Sequence, residues 1–332
     1  MLRYIVHRIL IMIPTLIAIS IVIFTIIHLP PGDYFTTYIA ELQSQGEHAN
    51  LAKIAFLKAE YGFDQPIWRQ YLMWALGLLH GDMGYSFAYD LPVTKVVGDR
   101  LFLTFLVSTV TIVFTYVVAF PIGVYSATHQ YSASDYILTF LGFLGLATPS
   151  FLLALLLVYF AHVYFGISIG GLMDPHYVDK PWGWGKVASV AAHIWVPVIV
   201  IGTAGTAAMI RRLRANLLDE LQKQYVVTAR AKGLHPVKAL FKYPLRMALN
   251  PFISDIGSLL PHVISGAAIV SVVMSLPTTG PMLLDALRSQ DMYLAGSFLM
   301  FMAFLTVIGV FLSDLALAAL DPRIRLQTGR PQ

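Results

Sequence analysis

The side chains able to do covalent or metal chemistry are few and wrongly spaced for it. The 332-residue chain has no cysteine, which removes thiolate nucleophiles, Cys-ligated metals and disulfides. His28, His162, His193 and His262 are scattered over apolar stretches, and none stands in an H-E-x-x-H pair. They read as interfacial or packing histidines. Gly166-Ile167-Ser168-Ile169-Gly170 has the G-x-S-x-G spacing, but it follows an apolar span and lacks the strand before and the helix after that a nucleophile elbow needs, so it does not argue for an intramembrane hydrolase. Gly185-Lys186 is followed by Val187 and lacks the upstream glycine of a phosphate-binding loop. The chain therefore cannot cradle ATP phosphates in that way, and any ATP-driven work needs another polypeptide.

The spacing that carries most information lies in the loop Arg211–Asn250. Leu213, Leu217 and Leu221 recur at i, i+4 and i+8, which predicts a helix continuing past the preceding apolar stretch. Next comes Tyr225-Val226-Val227-Thr228-Ala229-Arg230-Ala231-Lys232-Gly233-Leu234-His235-Pro236. Thr228, Ala229 and Ala231 are small and suit a short helix. Gly233 can adopt positive φ and close that helix, and Pro236 can open the next one. A short helix, a corner and a second helix make a knob whose small side chains allow close approach by a partner, and whose Lys and Arg suit an acidic-rimmed groove. The plain alternative is a basic loop held to lipid headgroups.

The elements that must position this loop are membrane spans. Hydrophobic residues make up 57% of the chain and charged ones 12%, against roughly 25% charged in soluble domains. Six stretches are long enough for a bilayer core: Ile9–His28, Leu101–Ala127, Tyr136–Phe165, Ala191–Ile210, Pro251–Met274 and Tyr293–Leu320. The first runs past the usual length of a signal-peptide core and lacks a small-x-small cleavage site, so it reads as an uncleaved span. Pro14, Pro121, Pro149, Pro197 and Pro261 predict kinks, because membrane helices tolerate freed carbonyls. Spans one to four carry no Asp, Glu, Lys or Arg. Asp255 and Asp314 sit near span ends, and Arg323 or Arg325 is a candidate partner for Asp314. Ion-coupled carriers keep buried carboxylates near the midplane, so this pattern argues against a secondary transporter working alone.

Charge placement orients the chain. Of 22 Lys and Arg, two lie in the N-terminal segment, nine in Arg211–Asn250 and three in the tail. With an even number of spans these all fall on one side, predicted to be cytoplasmic. The basic residues alternate with spans instead of lining a solvated face, so nucleic acid is not an expected partner. The opposite side receives the acidic segment 31–100, in which Leu51–Glu60 and Trp68–Leu79 are predicted short helices. The expected organisation is residues 1–30 as N-terminal segment and first span, 31–100 as a periplasmic loop subdomain, 101–320 as a five-helix core containing loop 211–250, and 321–332 as a cytoplasmic tail. The fold class is all-α and polytopic.

Tyr225 to Leu234 resemble the coupling loop of binding-protein-dependent ABC importer permeases, and most closely the dipeptide/oligopeptide permease family. Val227-Thr228-Ala229 stands where the wider family has Glu-Ala-Ala before the glycine. The resemblance extends to Met1-Leu2-Arg3-Tyr4-Ile5, Pro31-Gly32-Asp33, Asp64-Gln65-Pro66, Gly81-Asp82-Met83-Gly84, Pro149-Ser150-Phe151 and Leu320-Asp321-Pro322-Arg323-Ile324-Arg325. Leu276-Pro277-Thr278-Thr279-Gly280 departs from the usual Leu-Pro-Gly-Leu-Gly, and Tyr34 replaces a proline.

The resemblance implies a type I importer permease fold in a bacterial inner membrane, with both termini cytoplasmic. The chain would be a non-catalytic transport subunit without its own cofactor. It implies a heterodimer with a second homologous permease subunit, two ATPase subunits carrying ATP and Mg, a periplasmic substrate-binding protein, and contact with membrane lipid. It assigns Thr228, Ala229, Arg230, Ala231, Gly233, Leu234 and Pro236 to ATPase coupling, and leaves the substrate pathway unassigned. Di- or oligopeptides are the implied cargo. Oligosaccharides are the alternative that Thr278-Thr279 keeps open, and the wider family also includes nickel importers.

Overall fold

The computed structural model describes residues 2–44, 51–166, 169–178 and 180–320. Helices dominate: α1 (Leu2–His28), α2 (Tyr34–Ser44), α3 (Leu51–Glu60), α4 (Ile67–Leu79), α5 (Val93–Thr128), α6 (Ala133–Ala147), α7 (Ser150–Phe165), α8 (Trp184–His193), α9 (Trp195–Leu221), α10 (Gln224–Ala231), α11 (Pro236–Lys242), α12 (Pro244–Ser254), α13 (Ile256–Val273), α14 (Thr279–Arg288) and α15 (Met292–Leu320). A hairpin pairs β1 (Tyr85–Ser86) antiparallel with β2 (Leu91–Pro92), Tyr85 opposite Pro92 and Ser86 opposite Leu91.

Among the described residues four helices are long and apolar enough to cross a membrane, within α1, α5, α9 and α15. A fifth span arises if α6 and α7 are taken together, and that pair is bent by 99°. The expected span 136–165 is thus broken, not kinked. Thr148 is extended (φ −85°, ψ 119°) and ends α6, while Pro149 sits just before α7. A residue preceding proline is pushed out of the helical region, and here that local rule wins. Pro197 also departs from expectation. It occupies the first turn of α9, where a missing N–H costs no hydrogen bond. Helix continues through Pro14 and Pro121. The expected span 251–274 is divided between α12 and α13 and is not among the four or five. Arg323 and Arg325, suggested as partners of Asp314, lie outside the described residues.

The chain forms two compact units. One comprises Arg8–Leu103 and Thr278–Leu305. Its core is aromatic: Phe24, Phe35, Trp74 and Phe87 are buried with Val93, Val97, Met282, Leu294 and Phe298. Phe35 meets Phe63 and Phe87 at 5.3 and 4.9 Å. Helix α2 starts on a reciprocal cap, since Thr36 N–H donates to Asp33 Oδ1 (2.8 Å) and Asp33 N–H to Thr36 Oγ1 (2.6 Å). Lys58 pairs with Asp33 at 2.8 Å. Burial works against ionisation of Asp33, but the bonds from Lys58 and Thr36 outweigh it and hold the carboxyl below its usual range. That contribution to stability is present above the ordinary aspartate value of 3.8 and is lost as pH falls through the lowered one.

The Gly81-Asp82-Met83-Gly84 motif has a packing role in this unit. Asp82 Oδ1 accepts from Gly84 N–H (2.9 Å), and Gly84 holds φ +82°. A Cβ there would lie 2.3 Å from the Tyr293 ring. Ser297 donates to the Met83 carbonyl (2.7 Å) and Trp74 Nε1 donates to Ser297 (3.3 Å).

Asp291, fully buried just before α15, accepts from the Ser86 hydroxyl (2.6 Å) and from the N–H groups of Ala88 (3.1 Å) and Leu294 (3.2 Å). Burial pushes its carboxyl above the ordinary 3.8, and these bonds pull it back only in part. A raised folded value means that this group's contribution to stability declines as pH rises from 3.8 through the raised value. The donors still need their acceptor. Asp291→Ala is expected to lower stability by about 1–3 kcal/mol, read as a lower unfolding midpoint in detergent, because buried donors are left unpaired.

The other unit comprises Met1–His7, Thr104–Pro277 and Thr306–Gln332. Its core gathers Ala119 and Ala127 of α5, Met209, Leu213 and Leu217 of α9, and Leu245, Ala248 and Phe252 of α12. Helix α9 runs the full 27 residues to Leu221, with Leu213 and Leu217 wholly buried, as the i, i+4, i+8 leucines predict.

Candidate functional site: the α9–α12 loop

Loop 211–250 folds as a folded-back chain of short helices. Helix α10 closes on Gly233, φ +79°. Gly233 N–H reaches the Arg230 carbonyl (2.9 Å) and Leu234 N–H the Ala229 carbonyl (3.2 Å). This pair of bonds is a Schellman cap, which requires a left-handed residue at that position. Pro236 then occupies the first turn of α11, where its fixed φ suits helix initiation.

The seven predicted residues fall on one corner. Thr228, Arg230, Ala231, Gly233 and Pro236 are exposed, while Ala229 and Leu234 are half-buried. Thr228 returns its hydroxyl to the Gln224 carbonyl (2.9 Å), so its methyl is what the corner presents. The corner is anchored by Val226 and Ala239, each 1% exposed. Around it stand exposed Val227, Val237 and Phe241 beside exposed Lys232, Lys238 and Lys242. Tyr225 donates to Glu220 at the α9–α10 join, and burial together with that bond pushes its phenol above the usual value. The corner thus offers apolar contact and positive charge, but holds no group arranged for catalysis. No group of three or more His, Asp or Glu suited to a metal occurs among the described residues.

Two further residues connect the loop's stem to other helices, and sequence reasoning did not pair them. Arg214 of α9 grips Asp135 with two bonds, Nε to Oδ1 at 3.0 Å and Nη2 to Oδ2 at 2.7 Å. The Asp135 side chain is 3% exposed. Asp135 also accepts from Tyr131 N–H (3.1 Å), and Ser132 caps α6 by accepting from Asp135 N–H (3.2 Å). Two positions away, Arg212 pairs with Asp255 at the α12–α13 junction. Carbonyls left open at that junction are taken by side chains: Tyr116 donates to Phe252 O (2.8 Å), and Ser313 to Ile253 O and Ser254 O (3.0 Å each). One stem therefore holds both the α5–α6 turn and the α12–α13 junction. The Ser132-x-x-Asp135 capping pattern was a readable signal for the first, and a lone Asp255 near a span end for the second.

Thr278 and Thr279, the departure that kept a sugar cargo open, are 5% and 1% exposed at the start of α14. They are packing residues there. Tyr34 is the first residue of α2 and stacks on Tyr38.

Residues 119–326 match the family model described as binding-protein-dependent transport system inner membrane component, and residues 1–108 match its N-terminal counterpart. The chain is 32% identical over 325 residues to the oligopeptide transport system permease protein AppB of Bacillus subtilis (strain 168), covering 98% of this chain and 99% of that one. It is 30% identical over 342 residues to the dipeptide transport system permease protein DppB of Escherichia coli (strain K12), with 98% and 99% covered. It is also 30% identical over 325 residues to the glutathione transport system permease protein GsiC of Pectobacterium atrosepticum, at the same coverage.

Proposed function

Since the chain belongs to the family of binding-protein-dependent transport system inner membrane components, we propose that it is one permease half of an ATP-driven importer of di- or oligopeptides. The observation that carries the cargo is near end-to-end similarity to relatives named for oligopeptide, dipeptide and glutathione transport. Burial of Thr278 and Thr279 weighs against the oligosaccharide alternative that these two residues kept open.

In this reading the chain pairs with a second, homologous permease. Two ATPase subunits, carrying ATP and Mg, dock on loop 211–250 from the cytoplasm, where both termini also lie. A periplasmic binding protein meets the opposite side, to which segment 31–100 belongs. The corner built by Thr228, Ala229, Arg230, Ala231, Gly233, Leu234 and Pro236 seats in an ATPase groove. Closure of the ATPase dimer moves the corner, and the α9 stem carries that movement through Arg214 and Arg212 to the α5–α6 turn and the α12–α13 junction. The spans then exchange between inward- and outward-facing states, driven by the difference in binding free energy between them.

Reconstitution tests this. The complete importer in proteoliposomes is expected to take up peptide only with ATP and binding protein, and the purified chain alone is expected to hydrolyse no ATP above background. Peptide uptake that survives ATP depletion but collapses with an uncoupler would overturn the reading in favour of an ion-coupled carrier.

A further inference from the structure

We infer that helix α8 lies in the bilayer interface, in the leaflet opposite the α9–α12 loop, with Trp184, Val187, Ala191 and Trp195 presented to phospholipid. These residues recur at i, i+3, i+7 and i+11, so they form one stripe along a helix. Trp184 is 91% exposed, Val187 46% and Trp195 56%. The stripe crosses the junction with α9 unbroken. Ile194 keeps helical backbone angles (φ −63°, ψ −26°), its N–H donates to the Val190 carbonyl (2.9 Å), and Val198 N–H donates to the Ile194 carbonyl (3.1 Å).

The burial of α8 is the reverse of that of a helix lying in water. Lys186, its only Lys, Arg, Asp or Glu, is turned inward and is 4% exposed, while the apolar stripe faces out. Lys186 Nζ donates to the carbonyls of Val178 (3.1 Å) and Lys180 (2.8 Å), and it stands 5.1 Å from the centre of the Trp182 ring. The loop before α8 is thus folded around the ammonium group. A water-facing helix needs no such enclosure, because a lysine there keeps its head in solvent. A helix seated among lipids does need it, since an unenclosed charge in that setting is expensive.

Depth along the span decides what covers the stripe. Helix α9 is long and apolar enough to cross the membrane, and Arg211 and Arg212 are its first charged residues. A hydrocarbon core of about 30 Å takes about 20 helical residues, so counting back from Arg211 puts the far boundary near Ala191. Trp195 then sits just inside the core. Trp184, about two turns before Ala191, can stand no more than about 10 Å outside it, at the level of the headgroups. Tryptophan is enriched at this level because its ring meets acyl chains while its indole N–H reaches headgroup oxygens. The stripe carries no charge and, apart from the two indoles, no side chain that forms hydrogen bonds. A fluid lipid layer asks for nothing more.

Spin-label accessibility in the complete importer tests this. The chain has no cysteine, so Val187→Cys or Ala191→Cys, assembled with cysteine-free partner subunits in phosphatidylcholine proteoliposomes, carries a single nitroxide. Asp64→Cys, at an exposed residue of segment 31–100, is the water-facing reference. At 187 and 191 the ratio of oxygen to nickel-chelate collisions is expected to be severalfold higher than at 64, because oxygen concentrates in lipid and the chelate stays in water. The same pattern is expected with phosphatidylglycerol added, because the stripe is uncharged. A ratio at 187 and 191 equal to that at 64 would put α8 in water and overturn the proposal. Weak collisions with both reagents would mean that a protein surface, of the partner permease or the binding protein, covers the stripe, and would overturn it equally. So would a lipid pattern that arises only with phosphatidylglycerol. Where Val187→Cys impairs ATP-dependent uptake, Ala191→Cys decides.

Discussion

Replacing Gly233 by valine is expected to reduce peptide taken up per ATP hydrolysed by about 5- to 30-fold, from a left-handed penalty of roughly 1–2 kcal/mol. The reason is conformational. Gly233 holds φ +79°, and no atom lies within 4 Å of the position a Cβ would take. A clash is therefore not the cause. A β-branched residue resists the left-handed region, so the two bonds that close α10, from Gly233 to Arg230 and from Leu234 to Ala229, would open. The corner would lose its shape while the spans, which do not depend on it, still insert. Asparagine tolerates the left-handed region better, so Gly233→Asn is expected to retain most coupling. Uptake and ATP hydrolysis measured together in proteoliposomes separate these outcomes. Normal substrate-stimulated uptake by Gly233→Val would remove the coupling role from this corner.

Local chemistry made much of this legible in the sequence. Helix α3 spans Leu51–Glu60, the range its composition predicts, and α4 begins one residue before expectation. The leucine spacing at 213, 217 and 221 carries α9 beyond its apolar stretch. The glycine and proline at 233 and 236 mark a helix end and a helix start because glycine enters the left-handed region without strain and proline fixes φ near its helical value. Legibility failed where two local rules competed or where partners are distant in sequence. At Thr148–Pro149 the membrane's tolerance of proline argued for a kink, while the pre-proline restriction argued for an end, and the second prevailed. Strands β1 and β2 are two residues each, too short for alternation to register. Asp135 and Arg214 are 79 residues apart, and Ser86 and Asp291 are 205 apart. No periodicity links such pairs.

The stem's two ion pairs look alike in sequence, Arg212 and Arg214 each with an aspartate, yet burial separates them. The Arg214–Asp135 pair has side chains 25% and 3% exposed, whereas Arg212–Asp255 has 47% and 18%. Removing one member of a buried pair strands a charge and costs roughly 3–5 kcal/mol, while an exposed pair is worth about 0–1 kcal/mol. Arg214→Ala is therefore expected to lower the unfolding midpoint far more than Arg212→Ala, which sheds a pair already screened by solvent. Asp135→Ala should be the milder half of its own pair, because Arg214 is exposed enough to turn toward water. It follows that the double variant Asp135→Ala/Arg214→Ala should recover part of what Arg214→Ala loses, since the stranded carboxylate is gone. The same order is expected in uptake, because the stem's grip on the α5–α6 turn is what the proposed stroke uses. Equal losses for Arg212→Ala and Arg214→Ala, or a double variant no better than Arg214→Ala, would show that burial does not rank these contacts and that the stem transmits movement by packing of Leu213 and Leu217 alone.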